Sequence, residues 1–408
     1  MSIQKFLQAK SIVSTLVHSG FIAYFAGGWV RDFVMGHPSE DIDIATDASP
    51  AQIMELFPRT LLVGIAFGVV IVIMGDEQFE VATFRKDLEY LDGRHPTAIE
   101  ASNPFEDAMR RDFTINGMFY DPLEEKIHDF VHGREDIRRG VIRTIGDPHE
   151  RFYEDRLRML RAFRFSSRFS FSIDIETQEA IREHADKIFP AVAMERVWQE
   201  FNKMAVYPRF DQAIVEMHRL GLLDVIFPEI IDLHIKELRH RVNAFASFPP
   251  NTPTILYLME IISPLSLLQK VETAKRLTAS NKEIKWVEYM EKLDEAVINE
   301  MKGEQYDPYI WVHLFASFEW DLGIKVLAAR YASNSQQEFY GKFLDRFNQV
   351  QKHVLRVREG KPVVTAAMLM QWGIAPGKKM GVLLKDAEQM AVRTDCEEPE
   401  PILARLMM

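Results

Sequence analysis

Apolar residues recur along the chain with two different spacings. Near the N-terminus they fall three or four positions apart, as on one face of an amphipathic helix; these are Ile3, Phe6, Leu7, Ile12, Leu16 and Val17. Short apolar or alternating runs further on predict strands at 21–26, 41–45, 68–74, 78–84 and 126–130, with the third and fourth forming a hairpin. From about residue 147 the spacing is helical to the end. The pattern therefore predicts an α+β head followed by an all-helical remainder.

The composition is that of an ordinary globular protein, since the 408 residues are 47% hydrophobic and 27% charged. No apolar run approaches the roughly 20 residues of a membrane span, and the N-terminus lacks the features of a secretion signal. The single cysteine, Cys396, excludes an intramolecular disulfide and a multi-cysteine zinc site. We therefore expect a reducing, cytoplasmic location and no membrane partner, while the oligomeric state stays open.

The net charge of −11 argues against a protein that coats nucleic acid without specificity. Residues 134–168 depart from this average, because ten arginines and six acids give a local balance of +4. Either a local basic track or a solvated charged helix face accounts for this excess.

Two carboxylates one residue apart, Asp41 and Asp43, are the first candidate for chemistry. In a strand, residues i and i+2 share a face, so these two carboxylates point together while Ile42 points into the core. Glu80 joins them if its strand is a neighbour. Carboxylates that converge need a positive charge between them, and oxygen ligands favour Mg²⁺. The alternative is an exposed edge strand with acids in water.

The residues just upstream favour the metal. Gly27 and Gly28 precede a predicted helix, where bare backbone N–H groups and the helix dipole attract an anion. Arg31 is then placed to clamp a phosphate in a forked contact. A phosphate site directly before a metal-binding strand indicates nucleoside triphosphate chemistry.

Three motifs, in this order and spacing, resemble a known family. They are "GGWVRD…EDIDIAT" (27–46), "RRDFTING" (110–117) and "EDRLRMLRAFRF" (154–165), and they resemble the signatures of class II tRNA nucleotidyltransferases, the CCA-adding enzymes. Bacterial poly(A) polymerases belong to the same superfamily, which is related to polymerase β. The resemblance implies a polymerase β-like nucleotidyltransferase head at 1–139, a base-recognising helical neck at 140–205, a helical body at 206–279 and a tRNA-binding helical tail at 280–408. It also implies template-independent addition or repair of the 3′-terminal CCA of tRNA, with CTP, ATP and Mg²⁺, through contacts with the acceptor stem and elbow.

The resemblance also assigns roles to single residues. It gives Asp41 and Asp43 to the metals, and Glu80 to orienting or deprotonating the attacking 3′-hydroxyl. The positions that it assigns to the nucleotide in the first two motifs are Gly28, Arg31, Arg111, Asp112 and Asn116; Arg111 would contact the triphosphate, and Asp112 and Asn116 suit hydrogen bonds to the sugar. Gly117 stands where the family usually has alanine, and we expect little consequence from it.

The third motif predicts how the base is read. Asp155, Arg158, Arg161 and Arg164 recur every three residues, which would place them on one stripe of the helix that begins at 147. An acceptor on Asp155 beside a donor on Arg158 suits cytosine and adenine and mispairs with guanine and uracil, at about 1 to 3 kcal/mol for each mispaired buried group. Arg161 and Arg164 match further nucleotide contacts of the family. The alternative is a solvated helix with internal ion pairs.

The long polar segment at 85–109 favours an enzyme that also adds A, because family members that do so carry a flexible loop here. Within the superfamily, the alternative is a bacterial poly(A) polymerase or an A-adding tRNA nucleotidyltransferase. An alternative from a different class is a catalytically silent RNA-binding protein that kept the fold.

Overall fold

The computed structural model describes residues 3–37, 39–63, 68–87, 99–303 and 307–406. The chain divides into two compact units, Met1–Ile235 and Lys236–Met408. Residues 88–98, in the middle of the predicted loop at 85–109, lie outside the described residues, and the segments on either side form β6, β7 and α4. The division into head, neck, body and tail stays a prediction.

The first unit is built on a mixed sheet. Its strands are β1 (Ala23–Ala26), β2 (Asp43–Thr46), β3 (Thr60–Leu62), β4 (Val69–Met74), β5 (Glu77–Thr83), β8 (Phe119–Asp121) and β9 (Lys126–His128), in the order β3-β4-β5-β2-β1-β8-β9. Two further pairs stand outside it: β6 (Arg85–Asp87) with β7 (Ile99–Ala101), and β10 (Val141–Ile142) with β11 (Ser172–Ile173). Strands β2 and β5 run parallel, whereas the other neighbours in the sheet are antiparallel.

The helices of the first unit cover the sheet and continue beyond it. They are α1 (Ile3–His18), α2 (Gly28–Val34), α3 (Pro50–Leu56), α4 (Pro104–Met109), α5 (Gly133–Arg139), α6 (Pro148–Glu154), α7 (Leu157–Phe169), α8 (Ile175–His184), α9 (Met194–Met204), α10 (Phe210–Arg219) and α11 (Leu222–Ile226). Short 3₁₀ turns lie at Thr114–Asn116, Ala185–Lys187 and Pro228–Ile230. Apolar residues of α1, among them Ile12 and Leu16, pack with Ile44 and Val81 on one face of the sheet. A second cluster of buried residues, including Ala45, Phe84 and Phe119, covers part of the opposite face, which is the face that carries Asp43.

The predicted hairpin is confirmed, with Met74 opposite Glu77 across a turn that begins at Gly75. The strands predicted at 21–26 and 126–130 are also present. Strand β2, however, begins at Asp43 rather than at Asp41. Asp43 pairs with Ala26, the last residue of β1, and the chain then turns at Gly27, where φ is +67°. Residues before Asp43 therefore have no β1 partner to extend the strand.

The predicted continuous helix from 147 to 165 is wrong in one respect, because it is broken at Asp155. The start is as expected: the Asp147 side chain accepts the backbone N–H of His149 at 2.8 Å, with Pro148 next to it. Asp155 is extended, with φ −144° and ψ 103°, and its Oδ1 accepts the backbone N–H of Leu157 at 3.1 Å. An aspartate that bonds a backbone N–H just ahead of it competes with the helix, and α7 starts afresh after it.

The second unit is helical throughout its described residues. Its helices are α12 (Ile235–Val242), α13 (Thr254–Ile261), α14 (Leu267–Arg276), α15 (Asn281–Met301), α16 (Pro308–Ala316), α17 (Trp320–Ala328), α18 (Ser333–Arg358), α19 (Ala366–Gln371), α20 (Lys378–Arg393) and α21 (Pro399–Leu406), with a 3₁₀ turn at Asn243–Ser247. Among the described residues, no helix combines the length and the apolar character that crossing a membrane requires.

Candidate nucleotide and metal site

The predicted acids meet at the edge of the sheet where β2 begins. Ile44 lies opposite Val81 in the parallel pair of β2 and β5, so Asp43 and Glu80 occupy the preceding positions on the other face. Glu80 is exposed while its neighbours Phe79 and Val81 are buried, as the alternation predicted. Asp41 is exposed and Asp43 is half-buried.

The electrostatics of Asp43 report this crowding. Burial, together with the negative charges of Asp41 and Glu80, raises the pKa of the Asp43 carboxyl to about 6, although the charge of Arg111 opposes this rise. The negative potential at this point is therefore in excess, which a bound cation would relieve.

The described residues nevertheless hold no group of three His, Cys, Asp or Glu side chains that could hold a metal by themselves. Asp41 and Glu80 lie close enough for their charges to act on Asp43, but Asp41 lies outside the strand and need not follow the alternation of Asp43, so the joint binding of a metal stays a prediction. The remaining donor set fits Mg²⁺, which is commonly held by one or two carboxylates together with substrate phosphates and water.

The glycine turn lies directly beside this acid. A Cβ built on Gly27 would come within 3.3 Å of Arg111 Nη1 and 3.6 Å of Asp43 Oδ2. Helix α2 begins at Gly28, so the N–H groups of its first turn start at the same place. Glycine backbone, carboxylate and guanidinium thus meet at one point, as an arrangement for phosphate and metal requires.

Asp107 orients Arg111, and we did not predict this residue. Arg111 donates to Asp107 Oδ2 from Nε at 3.1 Å and from Nη2 at 2.9 Å, and its Nη1 lies 3.4 Å from the carbonyl of Asn116. Although burial alone raises the pKa of Asp107, the charges of Arg111 and Arg110 outweigh it and lower that pKa. The i, i+3 and i, i+4 spacing of Asp107, Arg110 and Arg111 is the signal that could have revealed it.

Arg31, expected to clamp a phosphate, is bound by other side chains of the protein, and the phosphate contact stays a prediction. It is 3% exposed, and both Nε and Nη2 lie 2.8 Å from Asp32 Oδ1, while Nη1 donates to Asn116 Oδ1 at 2.5 Å. Its guanidinium also stands 4.6 Å from the ring centre of Phe169. A phosphate would have to displace these partners.

Asp112 and Asn116, expected at the ribose, are bound to each other and to arginine. Asn116 Nδ2 donates to Asp112 Oδ1 at 3.0 Å, and Arg161 Nε donates to Asp112 Oδ2 at 2.8 Å. Burial alone raises the pKa of Asp112, but the charge of Arg161 and the hydrogen bond from Asn116 outweigh it and lower that pKa to about 2. The ribose contact stays a prediction.

The expected single stripe is wrong, because Asp155 lies before α7 and the three arginines pair with different acids. Arg158 Nη1 donates to Glu154 at 2.7 Å, and its Nη2 donates to the carbonyl of Arg110 at 3.1 Å. Arg164 Nε lies 2.6 Å from Glu200 Oε2, and Asp155 Oδ2 lies 3.6 Å from Arg196. Sequence reasoning missed Glu154, although it lies within the third motif, and it also missed Glu200.

Gly117 permits close packing next to these groups. A Cβ at this position would come within 2.7 Å of Val131 Cγ2 and 2.8 Å of Ile145 Cδ1. Alanine therefore fits at this position only if a neighbouring side chain moves. The choice between glycine and alanine thus has a larger structural effect here than we expected.

Two family models match the first unit. The model described as "Poly A polymerase head domain" matches residues 23–143, and the one described as "Probable RNA and SrmB- binding site of polymerase A" matches residues 170–233. The first match includes the sheet, the glycine turn and the acids. Residues 23–143 therefore resemble the head domain of poly(A) polymerases in both sequence and site.

Comparison with whole proteins narrows this class. The chain is 36% identical to the CCA-adding enzyme of Lactobacillus helveticus over 258 residues, 63% of each chain, and 44% identical to that of Anoxybacillus flavithermus over 230 residues, 56% of this chain and 57% of the relative. The aligned part thus covers less than two thirds of either relative.

The crystal structure of the Bacillus stearothermophilus CCA-adding enzyme in complex with CTP superposes with a TM-score of 0.78 and 26% identity, covering 100% of this chain and 98% of that one. The Thermotoga maritima CCA-adding enzyme, complexed with tRNA, shares the fold with a TM-score of 0.70 and 20% identity, covering 100% and 96%. The predicted α+β fold is confirmed. The first unit thus matches the models of the poly(A) polymerase head and RNA-binding regions, and the chain is similar to CCA-adding enzymes.

Proposed function

We propose that this chain adds or repairs the 3′-terminal CCA of tRNA without a template, using CTP and ATP. The observation that carries the proposal is the half-buried Asp43 carboxylate, crowded by Asp41 and Glu80 and placed beside Gly27 and Arg111. The similarity to CCA-adding enzymes, including one in complex with CTP, supports this choice of substrates.

In the proposed reaction, the 3′-hydroxyl oxygen of the RNA attacks the α-phosphorus and pyrophosphate leaves. The exposed Glu80 carboxylate orients that hydroxyl and accepts its proton. Arg111 Nη1 and the first N–H groups of α2 hold the phosphates beside the glycine turn. Asp107 fixes the direction of Arg111 through two hydrogen bonds.

Members of this family generally use a divalent metal, and we propose Mg²⁺ held by Asp41 and Asp43. When bound, Mg²⁺ supplies positive charge to the attacking and leaving oxygens. Burial raises the pKa of Asp43, and so do the nearby negative charges of Asp41 and Glu80; this concentration of negative charge is the observation that fits the ion.

We further propose that Asp155 and Arg158 read the base. Arg158 is only 7% exposed, and Glu154 and two backbone carbonyls hold its Nη1 and Nη2, so its donors have a fixed direction. Asp155 supplies the acceptor. A fixed acceptor and donor favour cytosine and adenine, which present an amino group beside an unprotonated ring nitrogen.

An incorporation assay tests the proposal directly. A tRNA that ends before the CCA is incubated with each of the four triphosphates, alone and in pairs, with Mg²⁺. We expect CMP addition with CTP alone, and completion of CCA with CTP and ATP together. Addition of AMP without any CMP would support a poly(A) polymerase or an A-adding enzyme instead.

The Asp43→Asn variant tests the site. We expect it to bind tRNA and to lose incorporation by at least about 100-fold, because a metal-holding carboxylate is gone. Asp47→Asn is the matched control: Asp47 is exposed just after β2, and its carboxylate only accepts the backbone N–H of Ile22 at 2.7 Å. If wild type binds tRNA and incorporates nothing, the silent RNA-binding protein is the correct alternative.

The proposed cytoplasmic location rests on the single cysteine alone.

A further inference from the structure

Six side chains form a continuous series of contacts that leaves α7 and returns to it. Arg168 Nη2 donates to Asp32 Oδ2 at 3.0 Å, and Asp32 Oδ1 accepts from Arg31 Nε at 2.8 Å. Arg31 continues to Asn116 Oδ1 at 2.5 Å, and Asn116 Nδ2 to Asp112 Oδ1 at 3.0 Å. Asp112 Oδ2 accepts from Arg161 Nε at 2.8 Å. We call these six residues the Asp32–Asp112 network.

The members that lie below α7 are buried. Asp32, Arg31, Asn116 and Asp112 are exposed by 4%, 3%, 7% and 8%. A buried charge or amide that loses its partner keeps its full desolvation penalty, so each contact restrains the next. Two aromatic rings of α7 also contact Arg31, because its guanidinium stands 5.4 Å from the ring centre of Phe165 and 4.6 Å from that of Phe169.

The network holds α7 at two points. Arg161 and Arg168 are seven residues apart, which is close to two helical turns, so they lie on the same face about 10 Å apart. A helix that is attached at one point can still rotate about its axis or slide along it. Two attachments on the same face restrict both movements. The helix is thereby held against two pieces of the site, namely α2, which begins at the glycine turn, and residue 112, which follows Arg111.

Arg158 lies one turn before Arg161 on this helix. We propose that Asp32 and Arg168 are positioning residues that set the choice of base, because they fix the distance of Arg158 from the phosphate-binding turn. The inference rests on the proposed function. Neither residue touches the nucleotide in this proposal; they act through α7. Loss of the contact between Arg168 and Asp32 removes one of the attachments of α7, so we expect the base-reading end of the helix to shift while the catalytic carboxylates stay in place.

The test compares the kcat/KM for CTP and for UTP on a tRNA that ends before the CCA. In Arg168→Met the aliphatic stem remains and the charge is removed. We expect the CTP/UTP ratio to fall about tenfold, the scale of one weakened buried hydrogen bond, with the KM for tRNA unchanged. Arg168→Lys, which can still reach Asp32 with a single donor, should recover part of the ratio.

Arg138→Met is the matched control. Arg138 is also paired with a carboxylate, that of Glu135 at 2.7 Å, but its side chain is 77% exposed on α5. We therefore expect the CTP/UTP ratio of this variant to equal that of wild type. An unchanged ratio in Arg168→Met and Arg168→Lys, with only stability or overall rate lowered, would overturn the inference and leave a structural role. Absence of CMP incorporation by wild type would instead overturn the proposed function and the inference with it.

Discussion

Removal of the Glu200 carboxylate tests the buried charge pair between α7 and α9. Glu200 is 3% exposed, and the side chain of Arg164 is 12% exposed. Glu200→Ala leaves the Arg164 guanidinium buried with no carboxylate in contact. Breaking such a pair from one side costs about 3 to 5 kcal/mol.

Two observations place the expected loss at the low end, about 3 kcal/mol. The 2.6 Å contact joins Arg164 Nε and Glu200 Oε2 without an aligned hydrogen bond, because neither atom has a hydrogen-bond partner among the described residues. The guanidinium also rests 4.4 Å from the ring centre of Phe165, a contact that survives the substitution. Lys203, at 3.6 Å from Glu200, is 56% exposed and contributes little.

Hydrogen exchange of the backbone amides of α7 and α9, read by mass spectrometry, measures this loss locally in the full chain. The double variant Arg164→Met with Glu200→Met removes both charges, and we expect it to lie within about 1 kcal/mol of wild type. Glu135→Ala, which breaks an exposed pair on α5, is the matched control and should not change protection. A double variant that loses as much as the two single variants together would refute the reasoning.

Two further changes test packing and charge in the first unit. Gly117→Ala places a methyl group 2.7 Å from Val131 Cγ2 and should lower the free energy of unfolding in guanidinium by about 1 kcal/mol, whereas Gly341→Ala, in open space within α18, should raise it by about 0.5 kcal/mol; equal effects would contradict the packing argument. The pKa of Asp112, about 2 when folded against an ordinary 3.8, contributes about 2.4 kcal/mol of stability above pH 5 that is lost as the pH falls through 3.8 towards 2. Between pH 5.5 and pH 3, wild type should therefore lose about 1 kcal/mol relative to Asp112→Asn in urea unfolding, and parallel pH profiles of the two would show that the carboxylate is not stabilised by Arg161.

The sequence predicted correctly those features that depend on neighbouring residues alone. The hairpin at Gly75 follows from two alternating runs and a turn, and the direction of Glu80 follows from the period of a strand. The meeting of Asp43 with the glycine turn was predicted because a motif places its residues close together in sequence.

The sequence-based expectations fail where the local structure depends on residues that are distant in the sequence. Strand β2 starts at Asp43 because β1 ends at Ala26, a limit that residues 41–45 do not contain. Arg31 is bound by Asn116, which lies 85 residues away, and no local signal distinguishes a guanidinium that will be buried from one that will contact a phosphate. The break at Asp155 depends on one side-chain hydrogen bond that competes with an otherwise suitable helix.

The break between α6 and α7 lies between Asp155 and Arg158, the two side chains that the proposed function assigns to reading the base. Asp155 belongs to an extended turn, whereas Arg158 belongs to a helix that is anchored at Arg161 and Arg168. Lengthening that turn by one residue would move Asp155 relative to α7, and it would also move Glu154 and the carbonyl of Arg151, which hold Arg158. If these two side chains read the base as proposed, the length of this one turn sets the substrate preference in descendants of this protein.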